Sequence, residues 1–196
     1  VLVTGGEKGS DRFRTAELYD PDSPDLYVKH VGFMNEPRSQ HTAALLNNGR
    51  VLVVGGGEFR DPVASAEIYD PETQVWSETA GMAEPRAAQA MVLLQDRRVM
   101  VMGGRTSGRK DIATVEIYDP ETETWSPAAG MSQARRLHTA TVLQDGRVLV
   151  VGGGEKFIFW DSAEVYDPAT GQFSSAGQTS QDLHRHRLVT LPDGRA

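Results

Sequence analysis

Short apolar runs that end in paired glycines recur along the chain. Four runs rich in valine begin at Val1, Val51, Val99 and Val148, and each stops at Gly-Gly. Brief apolar runs bounded by glycine are typical of buried β-strands. A second mark, Glu-x-Tyr-Asp-Pro, follows every run. Proline presets a turn and cannot continue a strand ladder, so a strand that carries the tyrosine is predicted to end there.

Both marks keep one period. The first glycines of the pairs, Gly5, Gly55, Gly103 and Gly152, are separated by 50, 48 and 49 residues. The glutamates of the second mark are separated by 50, 49 and 48 residues. Two independent marks with a common spacing indicate a tandem repeat of one supersecondary unit.

Each unit divides into four predicted strands, named a to d in chain order. Strand a precedes a hairpin turn that is Asn-Gly or Asp-Gly in most units, and it is predicted at residues 41–46, 89–94, 138–143 and 186–191. Strand b is the valine-rich run, and strand c carries the tyrosine. Strand d is centred on Val28, Trp76, Trp125 and Phe173. The whole chain, 1–196, is thus predicted to hold units at approximately 1–40, 41–88, 89–137 and 138–185, with 186–196 as a final strand a.

The predicted fold is all-β. A four-stranded antiparallel sheet of this size cannot bury both faces alone, and radial stacking as the blades of a β-propeller solves that problem. The array begins on strand b and ends after strand a. Two interpretations stay open. The favoured one is a segment of a larger propeller, and the other is a four-bladed ring in which the last strand a completes the first unit.

The sequence resembles the kelch repeat family. The resemblance covers essentially the whole chain and rests on Gly-Gly, on Tyr-Asp-Pro, on a tryptophan six residues after Asp70 and Asp119, and on Met82-x-x-x-Arg86 and Met131-x-x-x-Arg135. It implies a propeller that usually has six or seven blades. The last unit departs from the pattern, with Phe173 for tryptophan, Thr179 for methionine and Leu183 for arginine. The amino-acid sequence of the repeats is similar to that of bacterial members of the family, so a secreted or cell-envelope location is favoured over a cytoplasmic one.

Composition and charge argue against several classes of partner and chemistry. The net charge of −7 argues against nucleic acid as a partner, and no apolar run approaches the length of a membrane span. The chain has no cysteine, so disulfides and thiolate chemistry are excluded. It starts with Val1 in a predicted strand, and the true N-terminus is therefore expected to lie further upstream.

One face of the predicted propeller is variable. The b–c loops, 7–15, 57–65, 105–114 and 154–162, share almost no sequence, whereas the turns of the opposite face are nearly uniform. Variable loops on a rigid scaffold commonly carry binding sites. Together with the d–a entries they hold fourteen of the 20 basic residues but ten of the 27 acidic ones. This distribution favours an anionic ligand, such as an acidic peptide, an acidic glycan or a phosphate.

The candidate ligand-binding residues lie on that face. The repeating arginines either bond within the scaffold or face the ligand, and the histidines that start strand a are expected to pack or hydrogen-bond. The aromatic residues either contact the ligand or cover a neighbouring blade. The complete set is Arg38, Arg60, Arg86, Arg135, Arg136, Arg185, Arg187, His41, His138, His186, Phe59, Phe157 and Trp160.

No catalytic residue, metal site or cofactor is predicted. Gly103-x-x-x-x-Gly108 resembles a phosphate loop, but Arg109 follows it in place of lysine and no helix is predicted there. Among enzymes with kelch repeats, copper-radical oxidases similar to galactose oxidase need a Tyr–Cys crosslink, which this chain cannot form. A sialic-acid mutarotase type remains an alternative through Arg185, His186 and Glu155. The leading hypothesis is a non-catalytic module that binds a protein, a peptide or an acidic glycan, and a structural or adhesion module is the third possibility.

Overall fold

The computed structural model describes residues 1–22, 28–58 and 61–191, and its regular secondary structure is almost entirely β-strand. Numbered along the chain, the strands are β1 Leu2–Thr4, β2 Glu7–Lys8, β3 Asp11–Arg12, β4 Thr15–Tyr19, β5 Val28–Phe33, β6 Thr42–Leu45, β7 Val51–Val54, β8 Gly57–Glu58, β9 Asp61–Pro62, β10 Ala66–Asp70, β11 Val75–Thr79, β12 Ala90–Leu93, β13 Val99–Met102, β14 Arg105–Thr106, β15 Lys110–Asp111, β16 Val115–Asp119, β17 Thr124–Ala128, β18 Thr139–Val142, β19 Val148–Val151, β20 Gly154–Glu155, β21 Ile158–Phe159, β22 Ser162–Asp167 and β23 Gln172–Gln178. A 3₁₀ turn covers Ser107–Arg109. Within the three described ranges, no helix has the length and apolar character needed to cross a membrane.

The long strands form four antiparallel sheets, one for each repeat. Three sheets have four strands in the order a-b-c-d, namely β6-β7-β10-β11, β12-β13-β16-β17 and β18-β19-β22-β23. The first sheet contains β1, β4 and β5. In every four-stranded sheet the tyrosine of strand c lies opposite the aromatic residue of strand d, as Tyr118 does opposite Trp125. The predicted all-β architecture of small antiparallel blades is confirmed.

The blades pack face to face. Leu52 and Ile68 of the second sheet share an apolar cluster with Val99, Val101 and Tyr118 of the third. Equivalent clusters join the first sheet to the second and the third to the fourth. The Tyr118 hydroxyl also lies 2.7 Å from the Thr79 hydroxyl of the preceding blade. Each sheet thereby covers a neighbour, as radial stacking requires.

The glycine pairs stand where neighbouring backbones meet. Gly103 has a φ of +60°, and a Cβ atom there would lie 2.4 Å from the Arg135 carbonyl oxygen. Both the left-handed backbone and the close approach exclude a side chain. The glycine pair is therefore a requirement of the contact between the entry segment and strand b.

The structure differs from the prediction at the last strand a. Residues 186–191 form no strand, and β1 pairs with β4 alone among the described residues. Strand a needs a strand b in its own blade, and 186–191 have none beside them. They contact the fourth blade through side chains instead, as when the Thr190 hydroxyl lies 2.8 Å from that of Thr141. The strand pairing that would seal a four-bladed ring is not seen in the described part of the chain.

A strained arginine in the uniform face provides a stability test. Arg97 has a φ of +73° in the a–b turn, where two other units have Gly49 and Gly146. Because a left-handed conformation costs a residue with a side chain about 1 kcal/mol, Arg97→Gly is expected to raise the free energy of unfolding by about that amount. Urea denaturation measures it. Thr73→Gly, at a turn position without positive φ, is the control and is expected to lower stability slightly.

Candidate functional site

The variable b–c loops share a regular structure that the sequence did not predict. Each loop forms a two-stranded ribbon, and the four ribbons are β2–β3, β8–β9, β14–β15 and β20–β21. The entry segments add single bridges to them, with Ser39 opposite Gly57, Ala87 opposite Arg105, and Arg136 opposite Gly154. The sequence signal was absent because a two-residue strand leaves no periodicity. The ribbons form a rim on one face of the molecule, and we call them the ribbon rim.

A chain of backbone hydrogen bonds runs from blade to blade inside the rim. Gln40, Ala88, Leu137 and Arg185, which precede strand a or its equivalent, have φ values of 55°, 56°, 57° and 54°. From the second residue on, each backbone N–H donates to the carbonyl of the previous residue in this series at a distance of 3.0 Å. The pairs are Ala88 to Gln40, Leu137 to Ala88 and Arg185 to Leu137. Left-handed backbone at four equivalent positions aligns these groups. The four residues lie beside one open cavity of about 500 Å³.

The three repeating arginines are part of the scaffold. Arg38, Arg86 and Arg135 are 0% exposed. Each ion-pairs with the glutamate of the following strand c, and the Nη2–Oε1 distances are 3.0 Å for Arg38–Glu67, 2.6 Å for Arg86–Glu116 and 2.9 Å for Arg135–Glu164. Each also donates to two backbone carbonyls, as Arg86 does to Gly103 and Thr114. A ligand cannot reach these guanidinium groups, so the scaffold alternative holds for all three.

Burial of these arginines changes the charge of the face. Desolvation lowers the pKa of Arg86, and its partner Glu116 opposes that shift. The three arginines are neutralised by glutamates of strand c, and most of the basic excess predicted for the face therefore disappears. The remaining exposed cations divide into Arg185 and Arg187 at the cavity and a second group on the ribbon rim.

The side chains that start strand a line the cavity. His41, Gln89, His138 and His186 occupy equivalent positions. His41 Nε2 lies 2.9 Å from the Thr4 hydroxyl, and His186 Nε2 lies 2.8 Å from that of Thr139. The Gln89 amide donates to the Val54 carbonyl at 2.9 Å. Hydrogen bonds between a histidine and the neighbouring blade or strand are thus present at His41 and His186, whereas His138 is buried by packing.

Burial keeps the two inner histidines neutral. The pKa of His41 is lowered to about 4 by burial and by the nearby Arg38, and that of His138 to about 3 by burial, Arg135 and His186. The pKa of His186 is also lowered, mainly by burial. Several buried polar atoms here have no partner, namely His41 Nδ1, Gln89 Oε1, both ring nitrogens of His138 and His186 Nδ1. The histidine and glutamine side chains of this wall are thus polar and uncharged near neutral pH, and their unpaired atoms are buried.

Arg185 and Arg187 lie at the rim of the cavity. Both are exposed and flank His186, and the Arg187 guanidinium donates to the His186 carbonyl at 3.2 Å. Neither forms a salt bridge with a described carboxylate. Glu7 is the carboxylate that lines this cavity, and it is paired with Arg12 at 3.2 Å. Glu155 is not among the lining residues.

Arg136 has a mainly structural position. Its Nε atom lies 3.1 Å from the buried carboxylate of Asp111, which also holds Arg105 at 2.8 Å. Its Nη2 atom donates to the Lys156 carbonyl at 2.6 Å. Arg136 thus joins the third and fourth ribbons and is poorly placed for the ligand role that the sequence suggested.

The predicted aromatic residues separate into two groups. Phe157 is 94% exposed, whereas Trp160 is half-buried and donates from Nε1 to the Ala134 carbonyl at 3.3 Å. Phe59 and Arg60, predicted in the second loop, lie outside the described residues. His184, which the sequence did not single out, stacks on Phe159 with ring centroids 3.9 Å apart.

The described residues hold no group of three or more His, Asp or Glu side chains arranged to bind a metal ion. The three cavity histidines come from different blades or entries, and two of them, His41 and His186, make separate hydrogen bonds.

Four-stranded blades packed in series, with strand a innermost and a shared cavity beside it, define a β-propeller of the kelch type. The chain belongs to the KLHDC2/KLHL20/DRC7 Kelch-repeats domain family, whose model matches residues 1–192.

A solved structure of YjhT has a similar fold. It matches with a TM-score of 0.74 at 16% sequence identity, and the match covers 91% of this chain. The chain spans 66% of the length of that structure. No curated protein matches the sequence. At this identity the likeness concerns the fold, and the role of the cavity has to be argued from its own residues.

Proposed function

We propose that the chain is a non-catalytic binding module that holds an anionic peptide or an acidic glycan at its central cavity. The observation that carries the proposal is the pair of exposed arginines, Arg185 and Arg187, on either side of His186. A guanidinium without a carboxylate partner can bond to a ligand carboxylate through two parallel hydrogen bonds. The hydrogen bond from the Arg185 N–H to the Leu137 carbonyl fixes the backbone position from which the Arg185 side chain extends.

The cavity wall leaves the attraction for an anion to the two arginines. Its neutral histidines add no positive charge near pH 7, because their pKa values lie far below that pH. The unpaired atoms of His41, Gln89, His138 and His186 are buried, so this wall shapes the cavity without presenting them to a ligand. The two exposed arginines therefore supply the attraction for the charged part of the ligand.

Arg185→Ala and Arg187→Ala are each expected to weaken binding of an anionic ligand about fivefold to tenfold, through loss of a charge-assisted hydrogen bond. Fluorescence anisotropy with a labelled Asp/Glu-rich peptide measures the first ligand class, and competition by a polyuronate measures the second. Wild-type affinity is expected to fall between 50 and 300 mM NaCl, roughly as ionic screening requires.

Arg147→Ala is the matched control, because Arg147 is an exposed arginine in an a–b turn of the opposite face. It is expected to bind like the wild type. Equal affinity of the Arg185→Ala/Arg187→Ala double variant and the wild type would show that the arginines at the cavity do not bind the ligand.

A sugar-processing enzyme of the mutarotase type is the second candidate. It is favoured by one feature, the exposed Arg185 next to the half-buried His186 at the same cavity. Exchange of sialic-acid anomers, followed by NMR with the wild type and with His186→Gln, decides this case. A rate equal to that of buffer alone removes it.

A further inference from the structure

The tip of the fourth ribbon presents two neighbouring apolar side chains to solvent. Phe157 is 94% exposed and Ile158 is 60% exposed. Single exposed apolar residues are common on protein surfaces. Two adjacent ones on a projecting turn, including a phenylalanine with nearly all of its surface in water, form a convex apolar knob.

A buried carboxylate of the third ribbon and an arginine of the entry segment hold this knob in place. The Lys156 N–H donates to the Asp111 carboxylate at 2.7 Å, and the Lys156 carbonyl accepts a hydrogen bond from Arg136 at 2.6 Å. Lys156 itself has a left-handed φ of 56°. The residue before Phe157 is thus fixed through both of its backbone polar groups. A chain held in this way presents Phe157 in a defined direction.

The remaining aromatic residues of the same ribbon are attached to the protein. Phe159 stacks on His184, and the Trp160 indole donates to the Ala134 carbonyl. The ribbon therefore divides its apolar side chains between an inner pair that packs and an outer pair that projects. Phe157 and Ile158 are the outer pair.

Exposed cations lie on the knob's own ribbon and on the third ribbon, which Asp111 joins to Lys156. The Lys156 side chain is 74% exposed, and Arg109 and Lys110 are exposed on the adjoining third ribbon. The nearest acid of the fourth ribbon is Glu155, 3.7 Å from the Lys156 ammonium. In a chain with a net charge of −7, three exposed cations beside an apolar tip are a local concentration of positive charge.

We infer that the tips of the third and fourth ribbons form a docking site for an anionic lipid surface. Phe157 and Ile158 enter the boundary between headgroups and acyl chains, and Arg109, Lys110 and Lys156 face the anionic headgroups. A lipid surface fits the shape better than a folded protein does, since a convex knob needs a partner that can close around it. The site is separate from the cavity and does not depend on the function proposed for it.

Co-sedimentation of the whole chain with vesicles tests this inference. Vesicles of phosphatidylcholine with roughly 30% phosphatidylserine are expected to bind the protein at 100 mM NaCl, and vesicles of phosphatidylcholine alone are expected to bind far less. Phe157→Asp is expected to weaken binding about tenfold or more. Lys110→Ala and Lys156→Ala are each expected to weaken it about fivefold.

Val75→Asp is the matched control, because Val75 is an exposed apolar residue on strand β11, away from the rim. It is expected to leave vesicle binding unchanged, as is Arg185→Ala at the cavity. The substituted positions are exposed, so the variants are expected to fold like the wild type. An unchanged melting temperature of each variant verifies that weaker vesicle binding does not come from loss of folding. Equal binding to neutral and anionic vesicles, no binding to either, or undiminished binding by Phe157→Asp would each overturn the inference.

Discussion

Replacing Arg86 with leucine is expected to lower the free energy of unfolding by about 3–5 kcal/mol. The guanidinium is fully buried, lies 2.6 Å from Glu116 and donates to two backbone carbonyls. Its removal leaves the buried Glu116 carboxylate without a counter-charge and takes one hydrogen-bond donor from each of the two carbonyls. Chemical denaturation of the variant and the wild type, followed by circular dichroism, measures the loss.

A double variant distinguishes a lost ion pair from lost packing. Arg86→Leu/Glu116→Leu is expected to recover much of the stability, because it removes the uncompensated charge together with its former partner. Arg98→Ala serves as the control, since Arg98 pairs with Asp96 at the surface at 2.7 Å and is expected to contribute less than about 1 kcal/mol. If Arg86→Leu lowered the free energy of unfolding no more than Arg98→Ala does, the buried Arg86–Glu116 ion pair would have no special role in joining the blades.

Acidification is expected to destabilise the protein by about 1.4 kcal/mol per pH unit for each buried neutral histidine, beginning near pH 6.5. In the folded chain, burial lowers the pKa of His138 to about 3 and that of His41 to about 4. In the unfolded chain both histidines take up a proton near pH 6.5. The unfolded state therefore binds more protons between these values. The contribution to stability is complete above pH 6.5 and is lost as the pH falls towards the folded pKa.

His138→Gln is expected to remove one histidine from this pH dependence while keeping the fold. Glutamine is suitable because Gln89 already occupies the equivalent position and donates to the Val54 carbonyl of the preceding blade. Unfolding free energies at pH 7.5, 6.5, 5.5 and about 4.5 give the slope. His30→Gln, at an exposed position, should keep the wild-type slope. Identical slopes for His138→Gln and the wild type would mean that His138 is already protonated in the folded protein above pH 5.

The strands could be predicted from the sequence because their signals repeat. Gly-Gly and Tyr-Asp-Pro place the ends of strands b and c, and β7, β13, β19 and their partners lie where these marks predict them. The Tyr118–Trp125 pair follows from the same register. The exception, residues 186–191, shows why: a strand forms only where a partner lies beside it, and a local pattern contains no information on the partner.

The site could be predicted only in part. The sequence singled out the face on which the structure has the candidate cavity, but it could not decide whether Arg86 faces a ligand or the scaffold, because that depends on the path of the entry segment. The left-handed positions gave no signal, since Gln40, Ala88, Leu137 and Arg185 are four different residue types. The firm attachment of Lys156 to Asp111 is likewise a contact between loops of different blades, which spacing along one chain does not show.

The entry arginines have a consequence for how such a chain grows. Arg38 belongs to the segment before the second blade and bonds to Glu67 inside it, and Arg86 stands in the same relation to Glu116 in the third. The second and third units thus each carry a glutamate for the arginine before them and an arginine for the unit after them. A duplicated stretch of one repeat would therefore meet compatible partners at both of its joints. Insertion of a whole repeat therefore needs no simultaneous substitution at its neighbours. Insertion of half a repeat would leave a buried charge without its partner.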